Sequence, residues 1–455
     1  MNLHYVLNFL LIISHSDNIL LYKVKIMKLN IAIYIDNSGI YKRDITLISS
    51  GNPGMGGTEY LTFLLAYELA KLKFVNVELL LASNQVGVEI FGDSYRIVGT
   101  LSKALSDGSL SSDYLIINHN NFITEKDISP LIKHYKHKTI VWSRNYLSEE
   151  ISKVISENSY IVKNVFVGKQ MYDYHRHYKA IKKSTYIFHA YKYPVEESIN
   201  AKPIHGNITY IGSLVKAKSF HVLADQWKDI VDMFPHAELN VIGSGKTYNQ
   251  SKKLGKFGIA EPHYEKRILK NLLDERGNII ESVIFHGNLG KEKKTILEKT
   301  WVGVVNPLGI TETFCLSVLD FYTYGIPVVS INDFSLPNVI KHKRTGLLYN
   351  NPKKLKNKII DILNDQSIRD NLGIEAYGYA RKKFSFDRFV SDWIKLIQNI
   401  ENDKHHKILS ISPPLKMKKL KITILSYLQP LFNYRIPPKY AHITAKDLIS
   451  KIFRK

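Results

Sequence analysis

The chain has a single cysteine in 455 residues. Cys315 therefore has no partner for an internal disulfide, which fits a reducing compartment. No cluster of cysteines and histidines has the spacing of a metal centre, and no D-x-D pair occurs anywhere. No stretch reaches the ~20 apolar residues that a membrane-spanning helix needs. The nearest, residues 6–13, is interrupted by Asn8. It lacks a basic n-region and an A-x-A cleavage site, which argues against a signal peptide. Met27 reads as a better start, because a strand begins at Leu29. Residues 1–26 then read as an N-terminal extension, with a short membrane-adhering segment as the other reading. Acidic residues are also scarce. There are 41 against 63 lysines and arginines, for a formal net charge of +22. Such a surplus calls for an acidic partner: nucleic acid, an anionic membrane surface or a phosphate-bearing substrate. Charge alone does not choose among them.

What is present is ordinary for a globular protein, with 45% hydrophobic and 23% charged residues. The length suits two domains, each with its own core. The most informative stretch is residues 301–331, W-V-G-V-V-N-P-L-G-I-T-E-T-F-C-L-S-V-L-D-F-Y-T-Y-G-I-P-V-V-S-I. Residues 301–305 are a short apolar run and read as a buried strand. Residues 306–312 are turn-rich. From Thr313 the apolar positions fall at helical spacing, with Thr311 or Thr313 as N-cap. Gly325 followed by Pro327 stops the helix, because glycine accepts a left-handed conformation and proline cannot continue. Residues 327–331 read as the next strand. This strand–loop–helix–strand unit is the repeat of a parallel α/β sheet.

Two carboxylates mark the unit, Glu312 at the mouth of the helix and Asp320 inside it. A helix of that spacing separates them by roughly 12 Å along its axis. Glycosidase carboxyl pairs stand about 5–10 Å apart, so a hydrolase pair fits poorly. The spacing suits two carboxylates gripping different parts of one long ligand. The N–H groups of Phe314, Cys315 and Leu316 between them face a phosphate in this reading. Hydroxyls at both ends with phosphate in the middle describe a nucleotide sugar. The competing reading is an amphipathic helix with a capping acid and a solvated aspartate.

The run E-x-F-C-L-S-V-L-D-F-Y-T-Y-G-I-P-V-V resembles the E-x-F-G-x-x-x-x-E-A-x-x-x-G-x-P-V-V motif of retaining glycosyltransferases of the GT-B fold, family four (group 1 glycosyl transferases). P-N-V-I-K-H-K-R-T-G-L-L-Y after it is similar to that family's next conserved run. Here Asp320 stands for the second glutamate, and Cys315 for a glycine that lets backbone approach phosphate. Residues 207–223, N-I-T-Y-I-G-S-L-V-K-A-K-S-F-H-V-L, resemble the family's Y-V-G-R-L-x-x-x-K-G-x-x-x-L signature. Gly212 matches, Lys218 matches the lysine that meets the donor diphosphate, and Ser213 replaces the arginine. Lys216 is a substitute cation in this reading. Gly56-Gly57-Thr58-Glu59, opening a helix at residues 61–72, resembles the family's Gly-Gly loop facing the donor phosphates. Gly51 to Thr58 only superficially follows a P-loop, because Gly57 sits where the lysine should be.

Other strands read at residues 29–35, 77–82, 114–118, 139–142, 160–167 and 184–188. His119 and Arg144 follow two of them, at the strand ends where open α/β sheets place their sites. His119 loosely fits the family's cleft histidine; a structural hydrogen-bonder is the alternative. Arg144 faces phosphate or an acidic acceptor, unless it is a surface ion pair. Residues 239–245 lack the third glycine of a dinucleotide fingerprint but resemble the family's L-x-I-x-G-x-G. His286, in the turn after residues 283–287, lies where relatives hold the base. Residues 291–300, 352–364 and 367–383 read as helices.

These readings divide the chain into an N-terminal Rossmann-like acceptor domain (27–190), a nucleotide-sugar domain (205–383), a crossover helix (384–400) and a basic amphipathic tail (401–455). The tail lysines suit an anionic membrane surface or a helical pair with its lysines in water. The expected fold is α/β, two doubly wound domains facing a cleft. By resemblance, the reaction is transfer of a sugar from a nucleotide donor to an acceptor hydroxyl with retention. It needs no metal or other cofactor. Glu312 binds sugar hydroxyls, Asp320 the ribose, and residues 313–316 with Lys218 the diphosphate. The acceptor, bound in the first domain, is a glycan or lipid-linked glycan, at a cytoplasmic site reaching the inner membrane face. The alternatives are a GT-B epimerase and a degenerate binder of nucleotide sugar. Nucleic-acid binding has only the net charge behind it.

Overall fold

The computed structural model describes residues 28–108, 110–191, 201–402 and 408–409. The extension read at residues 1–26 and the amphipathic segments read beyond residue 409 lie outside the described residues.

The first sheet holds β1 (Leu29–Ile35), β2 (Val75–Leu81), β3 (Tyr95–Ile97), β4 (Tyr114–Asn118), β5 (Thr139–Ser143), β6 (Ile161–Phe166) and β7 (Ser184–Tyr186). Their order is β3-β2-β1-β4-β5-β6-β7. Every pairing is parallel, as between β1 and β2 and between β4 and β5. Strands such as LNIAIYI are buried along nearly their whole length, as parallel strands covered on both faces must be.

The second sheet holds β8 (Asn207–Ile211), β9 (Glu238–Ile242), β10 (Val283–Gly287), β11 (Val302–Val304), β12 (Val328–Ile331) and β13 (Gly346–Tyr349). Its order, β10-β9-β8-β11-β12-β13, is the 3-2-1-4-5-6 order of a Rossmann sheet. Such sheets reverse direction between their first and fourth strands, and the crevice for a ligand opens at that point. Here it falls between β8 and β11, and in the first sheet between β1 and β4. The expected pair of doubly wound domains is present.

Gly303 shows how the organising unit packs. A Cβ there would sit 2.6 Å from the Phe321 ring, so only glycine lets the helix Leu316–Tyr322 lie flat on β11. The stop expected at Gly325 is present, with φ at +62°. The short strands β3 and β13 were not legible in the pattern.

Beyond the second sheet, the helix Phe386–Glu401 returns to the first domain. Its buried face is Phe386, Phe389, Trp393, Leu396 and Ile397. Trp393 and Phe389 meet the Trp142 ring at 4.9 and 5.8 Å. Near the other crossing, Tyr191 N–H donates to the Phe384 carbonyl at 2.9 Å. Tyr191 also bridges Ser385 in parallel. Tyr191, the last described residue of the first domain, thus lies beside Phe384 and Ser385, where the chain leaves the second.

Candidate functional site

The loop after β11 is bent at three positions, two of them, Asn306 and Thr311, residues that rarely take such angles. Asn306, Gly309 and Thr311 all have positive φ, at 27°, 64° and 57°. The bends are held by the Tyr349 hydroxyl donating to the Pro307 carbonyl at 2.7 Å and by Ser330 Oγ donating to the Val305 carbonyl at 2.7 Å. Strain of this kind persists only where the surroundings over-determine it. Its product is the position of Glu312, 5% exposed. Glu312 Oε2 accepts from Lys218 Nζ at 2.7 Å and from Asn306 Nδ2 at 3.0 Å. Burial pulls the Lys218 ammonium down, but the Glu312 carboxylate, Tyr248 and Cys315 together more than offset it, so its pKa ends above the ordinary lysine value. Burial and the same carboxylate raise the Cys315 thiol well above its usual value.

Lys218 is placed by a turn after β8. Ser219 follows it in the left-handed region, φ +58°, where the resembled signature has glycine. The Lys218 carbonyl accepts from the Tyr210 hydroxyl at 3.0 Å. Gly212 lies against that same hydroxyl, 2.7 Å from where a Cβ would be. Ser213 Oγ donates to the Ser244 carbonyl at 3.2 Å. Lys216 is exposed.

The helix expected from Thr313 begins later. Cys315 is its N-cap and Leu316 its first residue. Two long-range contacts hold the preceding residues out of the helix. Thr313 Oγ1 donates to the Arg144 carbonyl of the first domain at 2.6 Å. The Phe314 ring is buried against His189, Phe384 and Phe188 at 5.2, 5.5 and 6.2 Å. Phe314 therefore lies before the helix start, and the helical spacing between the two carboxylates covers only its second half.

Asp320, also buried, accepts on Oδ1 from Lys293 Nζ at 2.5 Å and from the Tyr191 hydroxyl at 2.8 Å. Lys293 opens the short helix Lys293–Leu297, and Tyr191 stands at the crossing between domains. Neither residue was legible as part of the site, because nothing local marks them. His286 is apart from both carboxylates. Its Nε2 is 2.7 Å from Asn240 Oδ1, and burial lowers its pKa. The turn beside it is tied in by Thr247 Oγ1 donating to Asn288 Oδ1 at 2.8 Å.

The first domain meets this wall through its glycine loop. A Cβ on Gly57 would sit 2.5 Å from Leu316 Cδ1, so glycine is what permits the close approach of the two helix starts. Gly56 is the N-cap of the helix Gly57–Ala70. A Cβ on it would collide with the Glu59 carboxylate, which folds back over the start of its own helix. The spacing from Gly56 to Glu59 is that of a capping box and was the available signal. Burial raises the Glu59 pKa, opposed in part by Arg144. Tyr248, from the loop after β9, lies 3.3 Å from the same Gly56 position.

Arg144 is buried, with its guanidinium 3.5 Å from the Trp142 ring centroid and Nη1 donating to the Thr58 carbonyl. It is neither a surface ion pair nor in contact with Glu312. His119 is 2% exposed. Burial and nearby Arg144 push its pKa down to about 4. No hydrogen bond joins it to the Lys218–Glu312 pair. Among the described residues no three His, Cys, Asp or Glu side chains gather as a metal site, and no helix is long and apolar enough to cross a membrane.

Residues 196–379 match the family model described as glycosyl transferases group 1. The match lies over the second domain. A glycosyltransferase of Methanocaldococcus jannaschii, itself uncharacterized, is 25% identical over 195 residues. The match covers 42% of this chain and 48% of that relative, so the chain spans about half its length. Among solved structures, sucrose-phosphate synthase from Thermosynechococcus elongatus superposes with a TM-score of 0.61 at 15% identity. It covers 83% of this chain and 100% of that one. HepE from Anabaena, in complex with UDP-glucose, gives 0.62 at 11% identity, covering 82% and 100%. Both share the two-domain GT-B fold with this chain.

Proposed function

We propose that this protein transfers a sugar from a nucleotide-sugar donor to an acceptor hydroxyl, with retention at the anomeric carbon and without a metal. The observation that carries the reading is the Lys218–Glu312 pair. Residues 94 positions apart meet beside the β8/β11 switch point, opposite the Gly56–Gly57 loop. A diphosphate entering the cleft competes with Glu312 for Lys218, since phosphate is the stronger anion. The carboxylate so released accepts hydroxyl donors from the sugar. Asp320, held by Lys293 and Tyr191, is the second carboxylate, at the ribose.

In the reaction the bond from the anomeric carbon to the diphosphate oxygen breaks. A bond to the acceptor oxygen forms on the same face, and the acceptor's proton passes to the departing phosphate. Lys218 stabilises the charge that develops there. HepE, a protein of the same fold, is solved with UDP-glucose, which supports a nucleotide sugar as donor. The net charge of +22 supports an acceptor carried on an anionic membrane, as in surface-polysaccharide or lipid-linked glycan synthesis on the cytoplasmic face.

The test is calorimetry against UDP-, GDP- and ADP-sugars, with Glu312→Ala and Lys218→Ala beside the parent chain. One donor should bind, and both substitutions should weaken it at least tenfold. Proton NMR of the transfer product then reads the anomeric configuration, and activity should persist in EDTA. A folded chain that binds none of the donors overturns the assignment.

A further inference from the structure

Exposed apolar side chains are unevenly spread over the first domain. Of its seven large ones among the described residues, five lie at one edge: Tyr41, Leu47, Val86, Ile97 and Ile123, each between 42% and 61% exposed. Tyr41 and Leu47 follow β1, Val86 follows β2, Ile97 ends β3 and Ile123 follows β4. The four strands are neighbours in the sheet, so these positions fall in a row along its C-terminal edge. The loop after β1 is held firmly. Ile40, Ile45 and Ile48 are buried beneath it. Val86 N–H donates to the Tyr41 carbonyl and Ile45 N–H to the Val86 carbonyl, both at 3.1 Å. Single exposed apolar side chains are ordinary, but a row of them marks an interaction surface.

The charge of this edge runs against the rest of the chain. Residues 36–56, 82–94 and 119–127, the loops after β1, β2 and β4, hold six carboxylates: Asp36, Asp44, Glu89, Asp93, Glu125 and Asp127. They hold three cations, Lys42, Arg43 and Lys126, so the loops are net negative in a chain of net charge +22. An edge that is apolar and acidic suits a partner that is apolar and basic, and repels nucleic acid or an anionic membrane. We propose that its occupant is this chain's own residues 415–428, L-K-M-K-K-L-K-I-T-I-L-S-Y-L. That segment interleaves four lysines with aliphatic side chains and carries no acid. The inference goes beyond the glycosyl-transfer reading and does not depend on it.

The chain is delivered to the right place. Leu409 N–H donates to the Tyr172 hydroxyl at 3.1 Å. The Tyr172 ring stands 6.3 and 6.1 Å from those of Phe166 and Tyr186, the last residues of β6 and β7. The described chain therefore ends at the same C-terminal edge. From β6 to β4 is two strand spacings, about 10 Å, and the six steps from Leu409 to residue 415 reach up to about 20 Å. From β4 to β3 is three spacings, about 14 Å, and the segment's length spans about 21 Å even as a helix. Docked there, it lies across the crevice between β1 and β4.

The test is the distance between two spin labels, read by pulsed electron paramagnetic resonance on the full chain without lipid. The labels are carried by Asn84→Cys, an exposed position beside Val86, and by Ser426→Cys. Cys315, the native cysteine, is buried, and the parent chain taken through labelling is the control. Labelled chain is diluted into an excess of unlabelled chain, so that only distances within one molecule remain. A narrow distribution within about 25 Å is expected, the edge itself spanning about 14 Å. Glu89→Lys with Asp93→Lys, both at exposed positions, should cut that short-distance population at least threefold. Lys418→Glu with Lys421→Glu should do the same, and all four substitutions together should restore it, which a folding defect would not do. A broad distribution in the parent sequence, a short distance that survives both reversals, or a swap that restores nothing overturns the proposal. So does a short distance that vanishes on dilution, which makes the edge an interface between copies instead.

Discussion

Lys218→Met tests the energetic basis of the site. It removes the cation from Glu312 and leaves the carboxylate with Asn306 Nδ2, 3.0 Å away, as its remaining side-chain donor among the described residues. Stranding one partner of a fully buried pair costs about 3–5 kcal/mol, whereas an exposed pair is worth about 0–1 kcal/mol. The Lys218 side chain is 21% exposed and that of Glu312 7%, so the pair lies toward the buried end and about 2–3 kcal/mol is expected. At about 2–4 °C per kcal/mol for domains of this size, the melting temperature should fall by about 4–12 °C. Adding Glu312→Leu removes the stranded charge and should restore most of that loss. Nucleotide binding should stay at least tenfold weakened in the double variant. Differential scanning calorimetry of the four chains at pH 7 gives the cycle. If Lys218→Met melts within about 1 °C of the parent, the pair is a solvent-screened contact and the reasoning fails.

Other substitutions probe the backbone and the buried histidines. Ser219→Gly relieves a left-handed φ of 58°, a conformation costing other residues about 1–2 kcal/mol. Part of that gain is lost to a freer unfolded chain, so urea denaturation should show a net gain of about 0.5–1 kcal/mol; a loss contradicts the strain argument. Gly243→Ala combines φ +143° with a collision against the Gly212 carbonyl. It should destabilise by more than about 3 kcal/mol or break donor binding, and a chain unchanged in both refutes the close approach. His119, His175 and His177 have pKa values pushed by burial to about 4, 3 and 4. Because these folded values lie below the ordinary 6.5, the unfolded chain takes up protons first as pH falls. Stability from this source is therefore complete above pH 6.5 and declines down to about pH 3. His119→Gln should flatten that slope by roughly 1.4 kcal/mol per pH unit, read as denaturant stability against pH.

How much of this was legible follows from the range of the interactions. Strands and the helix stop at Gly325 are written in short apolar runs and local backbone chemistry, so they could be read. The Lys218–Glu312 contact involves two residues that each stood out by resemblance, although neither motif says that they touch. The late helix start could not be read, because Thr313 is diverted by the Arg144 carbonyl and Phe314 by aromatic rings distant in sequence. Lys293 and Tyr191 carry no local mark at all; only the fold brings them to Asp320.

The end of the first domain at Tyr191 and the start of the returning chain at Phe384 lie against each other, clasped by the backbone bond between them. A door hung on a pair of adjacent pins can swing about one line and do little else. Sliding and twisting of one half against the other are resisted by the helix Phe386–Glu401, which belongs by sequence to the second domain and by its Trp142 contacts to the first. Because Tyr191 also holds Asp320, the pivot of this door is wired to its lock.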